Sequence, residues 1–463
     1  MKFISAISAV SIEKMTLLAI IVIGAFYLFV FPPNSAPDEP SHFQSAYYNV
    51  SAVFGQTADD PKMVSMRVAD AEMEQKYDGF ANALTYEEFK KNLFLPFDSG
   101  KSGIVAVERS QGVPHPYIYF PQTLGILLGR AIQANPEWLF LLGRIFNLIF
   151  YAICIWLAVK LTPVGKGVFA LIALYPMAME LAASMNSDVY TTALVFLALA
   201  QYLRIAYMEG PARLRDLLLL LLTMALLGPP KVIFLPIMML AFFLPKGCFA
   251  TRKLLIIYRA LVVAVFVATT FVALYIYIHR ADGGAPVLTF EDIEPNTIGH
   301  LLADPVMFAK MCKRTLDGYF EYFLHSMIGS DLGWIEIRIN KVVIDVFLAL
   351  SVVAAFKASP SESSLMKRDR VQFPVIFLIA SLGVAIIFFL SWTPIGSWDI
   401  IGIQGRYFLP AWPLFILFAA RWKRPVRPHW LSDRLLVAVV CGLHVIVLVS
   451  AYVFISARWP VVS

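Results

Sequence analysis

The apolar run MTLLAIIVIGAFYLFVF, residues 15–31, leads directly into PPNSAPDEPSH, residues 32–42. The run is close to the length that crosses a bilayer, and the residues after it are polar. Two adjacent carboxylates, Asp38 and Glu39, and the imidazole of His42 therefore sit where a membrane helix meets water. This arrangement predicts a membrane-embedded fold with ionisable groups at one surface.

The polar residues after the run have the pattern of a helix start. Aspartate is a favoured N-cap and proline fits the first turn, so Asp38 is expected to cap a helix that contains Pro40. In that helix Asp38 and His42 lie about one turn apart on one face. A carboxylate oriented by a neighbour at the membrane edge suits a general base, whereas the plainer interpretation is a helix cap with solvated charges. On this motif alone both interpretations stay open.

The composition of the 463 residues indicates a membrane protein. Hydrophobic residues make up 59%, charged residues only 15%, and the mean hydropathy is +0.71, whereas about a quarter of the residues of a soluble protein are charged. The net charge of +6 is not a nucleic-acid signature, because the basic residues lie in short segments between apolar runs. The four scattered cysteines form neither a disulfide framework nor a metal-binding pattern.

The apolar segments predict an all-α polytopic bundle of about 11 transmembrane helices in a single integral membrane domain, residues 1–463. We interpret the first run as an uncleaved anchor, because it is long for a signal peptide and Asn34-Ser35-Ala36 is a poor cleavage site. The predicted spans are residues 15–31, 138–158, 167–183, 188–207, 216–228, 232–245, 254–278, 341–356, 371–391, 407–420 and 433–456.

The basic residues between the spans predict the orientation. Residues 115–133 contain helix-breaking glycine and proline, so we expect them to lie in the interface or to re-enter the membrane and not to span it. With that assignment the short basic loops fall on the side of Lys2 and Lys14, as the positive-inside rule requires. The N-terminus is then cytoplasmic, and the acidic pair at 38–39 faces the periplasm or exterior.

Two polar inserts are expected on the external side. Residues 34–137 form a large first loop, in which charged stretches at 69–77 and 84–94 predict short helices lying over the membrane surface. Residues 280–340 form a second insert that contains an amphipathic helix or a pair of helices. Its basic residues could sit near lipid phosphates, although a solvated helix face is the plainer interpretation.

Four further charges lie at or near the predicted external surface, namely Glu180, Asp188, Lys231 and Arg406. Ionisable groups within a span are costly and tend to face a site or cavity, and Glu180 is such a group. Lys231 and Arg406 depart from the positive-inside trend, which predicts an anionic headgroup or phosphate as their partner. The alternatives are an ion pair between Glu180 and a neighbouring helix, and ordinary snorkelling of the two cations.

The order of short motifs along the chain resembles a known superfamily. The motifs are PDEPSH at 37–42, HPYIYFP at 115–121, LLGRIFNL at 141–148, NSD at 186–188, PPK at 229–231 and QGRYFLP at 404–410. Together they resemble the GT-C superfamily of glycosyltransferases that use lipid-linked sugars. Within it the chain is similar to a bacterial membrane family catalogued as a domain of unknown function. The resemblance implies a GT-C-like helical bundle with a large helical first external loop.

The resemblance also implies roles for the matching residues. Asp38 matches the first-loop acid that acts as base or orients the acceptor, with Glu39 beside it, and Asp188 matches the second-loop acid. Lys231 and Arg406 would hold the phosphate of the lipid carrier. This chain has HPY where the superfamily has a His-Pro-Pro-like segment. The residues expected to bind substrate are His42, His115, Tyr117, Glu180 and Tyr407.

The implied reaction is inverting transfer of a sugar from a polyprenyl-phosphate donor to a lipid-linked glycan or other surface acceptor, such as O-antigen polysaccharide. Cations stabilise the departing phosphate, and a carboxylate takes the proton of the attacking hydroxyl. No metal ligand is assigned, and a divalent metal (Mn or Mg) between Asp38 and Asp188 is left open. The oligosaccharyltransferase-type WWDYG motif is missing, which argues against protein N-glycosylation.

The expected location is the bacterial inner (cytoplasmic) membrane, with the active site on the periplasmic side, membrane lipids as partners and no nucleic acid. A lipid or lipid-linked-sugar flippase or transporter is the alternative function. Such a protein usually shows pseudo-repeats with broken helices at matching positions, and none is evident here. A non-catalytic scaffold is a third class, but it needs no clustering of charges on one side of the membrane.

Overall fold

The computed structural model describes residues 10–60, 62–76, 85–109, 116–228, 232–282, 296–356, 363–419, 426–428 and 430–458. These residues fold mostly into helices. In chain order the helices are α1 (Ile12–Val30), α2 (Glu39–Val53), α3 (Val68–Lys76), α4 (Tyr86–Leu93), α5 (Phe120–Ala131), α6 (Pro136–Leu161), α7 (Lys166–Ala173), α8 (Pro176–Ala182), α9 (Asp188–Tyr207), α10 (Leu214–Leu227), α11 (Met238–Phe242), α12 (Arg252–Asp282), α13 (Ile298–Ala303), α14 (Pro305–Ile328), α15 (Lys341–Ala354), α16 (Asp369–Ser391), α17 (Trp412–Ala419) and α18 (Asp433–Arg458).

Short strands and single 3₁₀ turns complete the described secondary structure. The strands form two antiparallel pairs, β1 (Met63–Arg67) with β2 (Ile104–Glu108), and β3 (Asp331–Leu332) with β4 (Ile337–Arg338). The 3₁₀ turns cover Ser99–Lys101, Pro116–Tyr119, Val232–Ile237, Lys246–Cys248, Gly405–Tyr407 and Leu409–Ala411.

Six helices within the described ranges are long and apolar enough to cross a membrane. They are α1, α6, α9, α12 in its part Arg252–Val272, α16 and α18. The mostly helical architecture agrees with the predicted all-α class. The predicted count of about 11 spans is not confirmed, because a bilayer needs about 20 residues of helix and the other predicted spans contain shorter helices.

Proline explains where several predicted spans break. Residues 167–183 form two helices, because Tyr175 is extended (φ −64°, ψ 143°) ahead of Pro176, as residues before proline usually are. Residues 232–245 begin as a 3₁₀ helix that contains Pro236 and continue as the short α11. Residues 407–420 likewise pass through 3₁₀ turns before α17. Helices α10 and α15 have 14 residues each.

Helices α7 and α8 lie in the protein core. Every residue of α8 is buried, and so is every residue of α7 after Lys166. Both belong to the large hydrophobic cluster that also contains buried residues of α1, α6, α9 and α18. The apolar character of residues 167–183 therefore reflects burial among other helices.

The first loop forms a small cap with its own core. Helices α3 and α4 occupy the two stretches for which helices are predicted, whereas the β1–β2 pair, with one strand before α3 and one after α4, is not anticipated by the sequence pattern. Phe43 and Tyr47 of α2 pack with Val64 and Met66 of β1, and Phe140 of α6 joins the same cluster. The cap thus rests directly on a candidate membrane span.

Close packing of α5 on α6 fixes the cap to the helical bundle. A Cβ atom on Gly125 would collide with the Leu142 carbonyl, and one on Gly129 would lie 3.1 Å from the Leu139 Cα. Small residues spaced four apart let two helices approach in this way. Helix α6 itself starts cleanly, because the Asn135 side chain accepts a hydrogen bond from the Trp138 amide at 2.9 Å.

The second insert returns to the first loop through a hairpin. Helices α13 and α14 lead into the β3–β4 hairpin, and residues 283–295 of the predicted insert lie outside the described residues. The Trp334 indole in the hairpin turn donates a hydrogen bond to the Asn34 carbonyl at 3.0 Å. Residues some three hundred positions apart thereby meet above the core helices.

Candidate functional site around Arg406

Asp38 adopts an unusual backbone conformation at the start of α2. It occupies the N-cap position with φ 58° and ψ 13°, in the left-handed region that non-glycine residues seldom adopt. The predicted cap is wrong in its chemistry, because the Asp38 side chain makes no capping hydrogen bond to the described backbone. Its carboxylate instead accepts a hydrogen bond from the Arg406 guanidinium at 3.1 Å.

Glu39, the other half of the acidic pair, points into the protein. Its carboxylate accepts two hydrogen bonds from Arg144 of α6, at 2.7 and 2.5 Å, and both side chains are fully buried. Arg144 also donates to the carbonyls of Phe31 and Pro32, and Glu39 accepts from the Met185 amide at 2.9 Å. This ion pair ties the end of α1 and the start of α2 to α6 and to the 184–187 loop.

Arg406 lies at the centre of the site. Besides its bond to Asp38, its Nε is 3.9 Å from a carboxylate oxygen of Asp188, and its side chain is only 5% exposed. Its Nε and Nη1 make no hydrogen bond to any described residue. A buried guanidinium with two nitrogens left unbonded is uncommon and indicates a place for an anionic ligand.

Gly405 places Arg406 there. A Cβ atom on Gly405 would collide with the Phe323 carbonyl and the Met327 amide of α14. The Gly405 amide donates to the Ser326 hydroxyl at 3.2 Å. The loop before α17 therefore lies flat against α14, and the Arg406 side chain projects from it towards the first loop.

The surroundings of Arg406 keep its guanidinium charged. Burial lowers its pKa, but Tyr407, Asp188 and Asp38 together raise the pKa by more, so that it lies above its ordinary value. Tyr407 contributes its hydroxyl at 3.3 Å from Nη2, and its ring packs against Phe388 with 4.9 Å between centroids. The site thus presents a permanent, largely desolvated positive charge.

Asp188 stands at the first turn of α9 at the end of a tightly bonded loop. Its amide donates to the Asn186 side chain at 2.7 Å. Asn147 of α6 donates to the Ser184 carbonyl at 2.8 Å, and Gln122 of α5 donates to the Met185 carbonyl at 3.2 Å. The side-chain amides of Asn147 and Gln122 thus fix the position of Asp188 relative to the first loop. No sequence motif predicts this role for them.

Glu180 lies behind the site in α8 and is buried. One carboxylate oxygen accepts a hydrogen bond from the Gly333 amide in the hairpin at 2.6 Å. The other oxygen makes no hydrogen bond to a described residue. The structure therefore places Glu180 beneath the β3–β4 hairpin, where its predicted contact with substrate stays a prediction.

The predicted aromatic and imidazole groups surround the site at different distances. The His42 Nδ1 lies 2.8 Å from the Tyr119 hydroxyl in a buried contact. Tyr117 stacks edge-on against Tyr190 of α9 with 6.1 Å between centroids, two residues beyond Asp188. Neither residue lines the cleft beside Arg406, whereas Tyr407 touches Arg406 directly. His115 and Lys231 lie outside the described residues.

A narrow cleft opens beside Arg406. It encloses about 10 Å³, room for one water-sized group. Its walls come from the first loop, α8, α14, the β3–β4 hairpin and the loop before α17. The lining residues are Pro37, Met177, Tyr322, Ser326, Asp331, Gly333, Ile335, Gln404, Gly405 and Arg406.

The Arg406 guanidinium occupies the space between Asp38 and Asp188. That is where the sequence left a divalent metal open. Within the described ranges no three His, Cys, Asp or Glu side chains are grouped as metal ligands. Asp38 and Asp188 as they stand are partners of a cation that the protein itself supplies.

Arg144 and Asp331 are further residues of the site that the sequence motifs do not predict. Arg144 lies within the LLGRIFNL motif, and a charge inside an apolar span is the signal that drew attention to Glu180. Applied to Arg144, the same criterion would have predicted a buried acidic partner for it. Asp331 lies in a charged insert, and no local pattern distinguishes it from its neighbours.

Comparison with known proteins gives a family but no characterised relative. The family model described as "Predicted membrane protein (DUF2142)" matches residues 21–415, which confirms the expected membrane family of unknown function. No curated protein and no solved structure matches the chain.

Proposed function

We propose that this chain, which belongs to the DUF2142 family of predicted membrane proteins, is an inverting glycosyltransferase of the GT-C type. It would move a sugar from a polyprenyl-phosphate donor to an external acceptor, a surface polysaccharide such as O-antigen. The observation that carries the proposal is Arg406, a buried cation that meets two acids from separate loops and has two nitrogens that bond to no described residue. A guanidinium in this environment can bind a phosphate and stabilise it as a leaving group.

Arg406 binds the donor phosphate in this proposal. Phosphate oxygens accept charge-assisted hydrogen bonds from Nε and Nη1, the two nitrogens that bond to no described residue. As the bond between the anomeric carbon and the phosphate oxygen breaks, negative charge grows on the phosphate, and a buried cation stabilises it strongly. Lys231 is a second candidate for the same phosphate, although it lies outside the described residues.

Asp38 is the proposed base. Its side chain is 45% exposed, so a substrate hydroxyl can reach it, whereas Glu39 is fully buried and bonded to Arg144. In the structure Asp38 is bound to Arg406. A donor phosphate competes for that guanidinium, so donor binding would free the carboxylate to accept the proton of the attacking hydroxyl. Asp188 remains beside Arg406 and balances its charge.

The remaining candidate residues have supporting roles. Glu39 positions the first loop through its bond to Arg144, and Glu180 holds the hairpin through Gly333. His42 and Tyr117 contact substrate in this proposal, and so does His115, which lies outside the described residues. The proposed location is the bacterial inner membrane, with Arg406 facing the periplasm.

The test is sugar transfer by the purified full-length protein. Wild type and Asp38→Asn are incubated with radiolabelled polyprenyl-phosphate sugars and a panel of lipid-linked glycans, and donor binding is measured in parallel. Transfer by wild type alone, with the variant still binding donor, supports the proposal. Equal transfer by both would move the base to Asp188. Donor binding by wild type without any transfer would instead favour the flippase alternative.

A further inference from the structure

The cleft beside Arg406 has walls of opposite charge. Arg406 forms one side, and Asp331 at the start of β3 forms another. Burial raises the pKa of Tyr322 in the same cleft; Asp331 raises it further, whereas Arg406 lowers it. Both charges therefore act on one phenol ring, in agreement with their shared place in a cleft of about 10 Å³.

Asp331 differs from the two acids that touch Arg406. Among the described residues it makes no ion pair within 4.0 Å, and the hydrogen bond it accepts comes from the neighbouring Ser330 hydroxyl. Its side chain is partly exposed. A carboxylate without a bonded cation keeps its capacity to accept a hydrogen bond from a ligand, since each ionised carboxylate offers several lone pairs.

The hairpin that carries Asp331 is firmly attached. The Gly333 amide donates to buried Glu180, and the Trp334 indole donates to the Asn34 carbonyl. The turn includes Ile335 at φ 68°, a conformation that is strained for a β-branched residue. Strain of this kind persists only where neighbouring contacts impose the conformation, and it is common at ligand sites.

The size of the cleft limits what can enter it. A volume of about 10 Å³ admits one hydroxyl-sized group and not a sugar ring. Ser326 and Gln404 add polar atoms to walls that are otherwise largely apolar, so a single hydroxyl can find hydrogen-bond partners there. Pro37, the neighbour of the proposed base Asp38, also lines the cleft. A hydroxyl held in the cleft therefore belongs to a molecule that also reaches Asp38, which in the proposed reaction is the acceptor.

We propose that this cleft is the acceptor subsite and that Asp331 accepts a hydrogen bond from a second hydroxyl of a glycan acceptor. The inference rests on the proposed transferase function and adds to it the residue that orients the polyhydroxylated acceptor. Asp331 is then a positioning residue. It orients the acceptor so that the attacking hydroxyl meets Asp38, and it takes no proton itself.

The test compares Asp331→Asn with Glu336→Gln, which removes the same charge from the exposed turn of the same hairpin outside the cleft. Three quantities are measured on full-length protein: equilibrium binding of fluorescent lipid-linked oligosaccharides, acceptor KM and kcat for transfer, and donor hydrolysis by water. We expect Asp331→Asn to weaken glycan binding and raise acceptor KM about tenfold, the value of one charge-assisted hydrogen bond. Donor hydrolysis by water should stay near wild type, because water does not depend on Asp331 for its orientation.

Unchanged acceptor KM in Asp331→Asn, or an equal rise in Glu336→Gln, would overturn the subsite. So would failure of wild type to bind any oligosaccharide of the panel. Failure of the transferase proposal has a different signature: wild type binds donor and glycan but transfers nothing. In that case the effect of Asp331→Asn on glycan binding still decides whether the cleft holds a glycan hydroxyl.

Discussion

Replacing Asp38 with asparagine is expected to tighten donor binding while it stops transfer. The Asp38 carboxylate accepts a hydrogen bond of 3.1 Å from Arg406. A donor phosphate must displace it, and the negative charge of the carboxylate also opposes the phosphate. The variant removes that charge but keeps the size of the side chain. Loss of transfer with stronger donor binding is a combination that general misfolding does not produce.

The size of the effect follows from the exposure of the pair. Arg406 is 5% exposed but Asp38 is 45% exposed, so solvent screens the interaction and its value lies near the upper end for exposed ion pairs, about 1 kcal/mol. That energy corresponds to donor binding about fivefold tighter. Asp188→Asn serves as the matched control. Its oxygen is 3.9 Å from Nε, beyond hydrogen-bonding distance, so its effect on donor affinity should be smaller.

The assay is equilibrium binding of a polyprenyl-phosphate sugar to purified protein in lipid nanodiscs, with thermal unfolding followed in the same samples. The donor should raise the unfolding temperature more for Asp38→Asn than for wild type, because binding restores a partner to a buried guanidinium. If Asp38→Asn binds the donor more weakly than wild type, the donor phosphate does not replace the Asp38 carboxylate as the partner of Arg406. Asp38 would then contact the donor itself.

Three further changes probe the supports of the site. Gly405→Ala should destabilise the protein by about 1–3 kcal/mol, because its Cβ would collide with the backbone of α14. The control Gly442→Ala has open space at its Cβ and should not destabilise the protein. Equal unfolding temperatures for the two variants would contradict this. Glu39→Gln should destabilise the folded protein by about 3–5 kcal/mol, because it leaves Arg144 buried without its charge partner. The double variant Glu39→Gln with Arg144→Met should recover part of this stability in thermal unfolding. A double variant less stable than Glu39→Gln alone would count against the ion pair. Transfer should continue in the presence of a chelator, because the Arg406 guanidinium occupies the space between Asp38 and Asp188; loss of turnover that Mn or Mg restores would contradict this.

The contacts around Arg406 could be anticipated in part from the sequence. Asp38, Asp188 and Arg406 were grouped because topology put their loops on one surface, and the structure brings these three side chains together across as many as 368 positions of sequence. Their catalytic roles stay predictions. The pairing of Glu39 with Arg144 joins residues 105 positions apart. No local pattern encodes it, so only the rule that a buried charge needs a partner could have indicated it.

The number of spans was harder to predict for a physical reason. Hydropathy measures transfer out of water and does not distinguish burial in lipid from burial in protein. Helices α7 and α8 are apolar because other helices surround them on all sides, and their combined sequence has the length of one span. Apolar runs interrupted by proline, such as that around Pro236, belong to the same class. Short apolar helices of this kind are more often core elements than spans.

Pro40 explains how two adjacent acids acquire different environments. An N-cap carboxylate normally accepts hydrogen bonds from the amides two and three residues ahead. For Asp38 the first of these belongs to Pro40, which has no N–H. The Asp38 side chain therefore loses a local partner and bonds to Arg406 from a left-handed backbone conformation, while Glu39 begins the helix and bonds to Arg144. The Asp-Glu-Pro order thus directs one carboxylate outward to the site and the other inward to the ion pair that holds it in place.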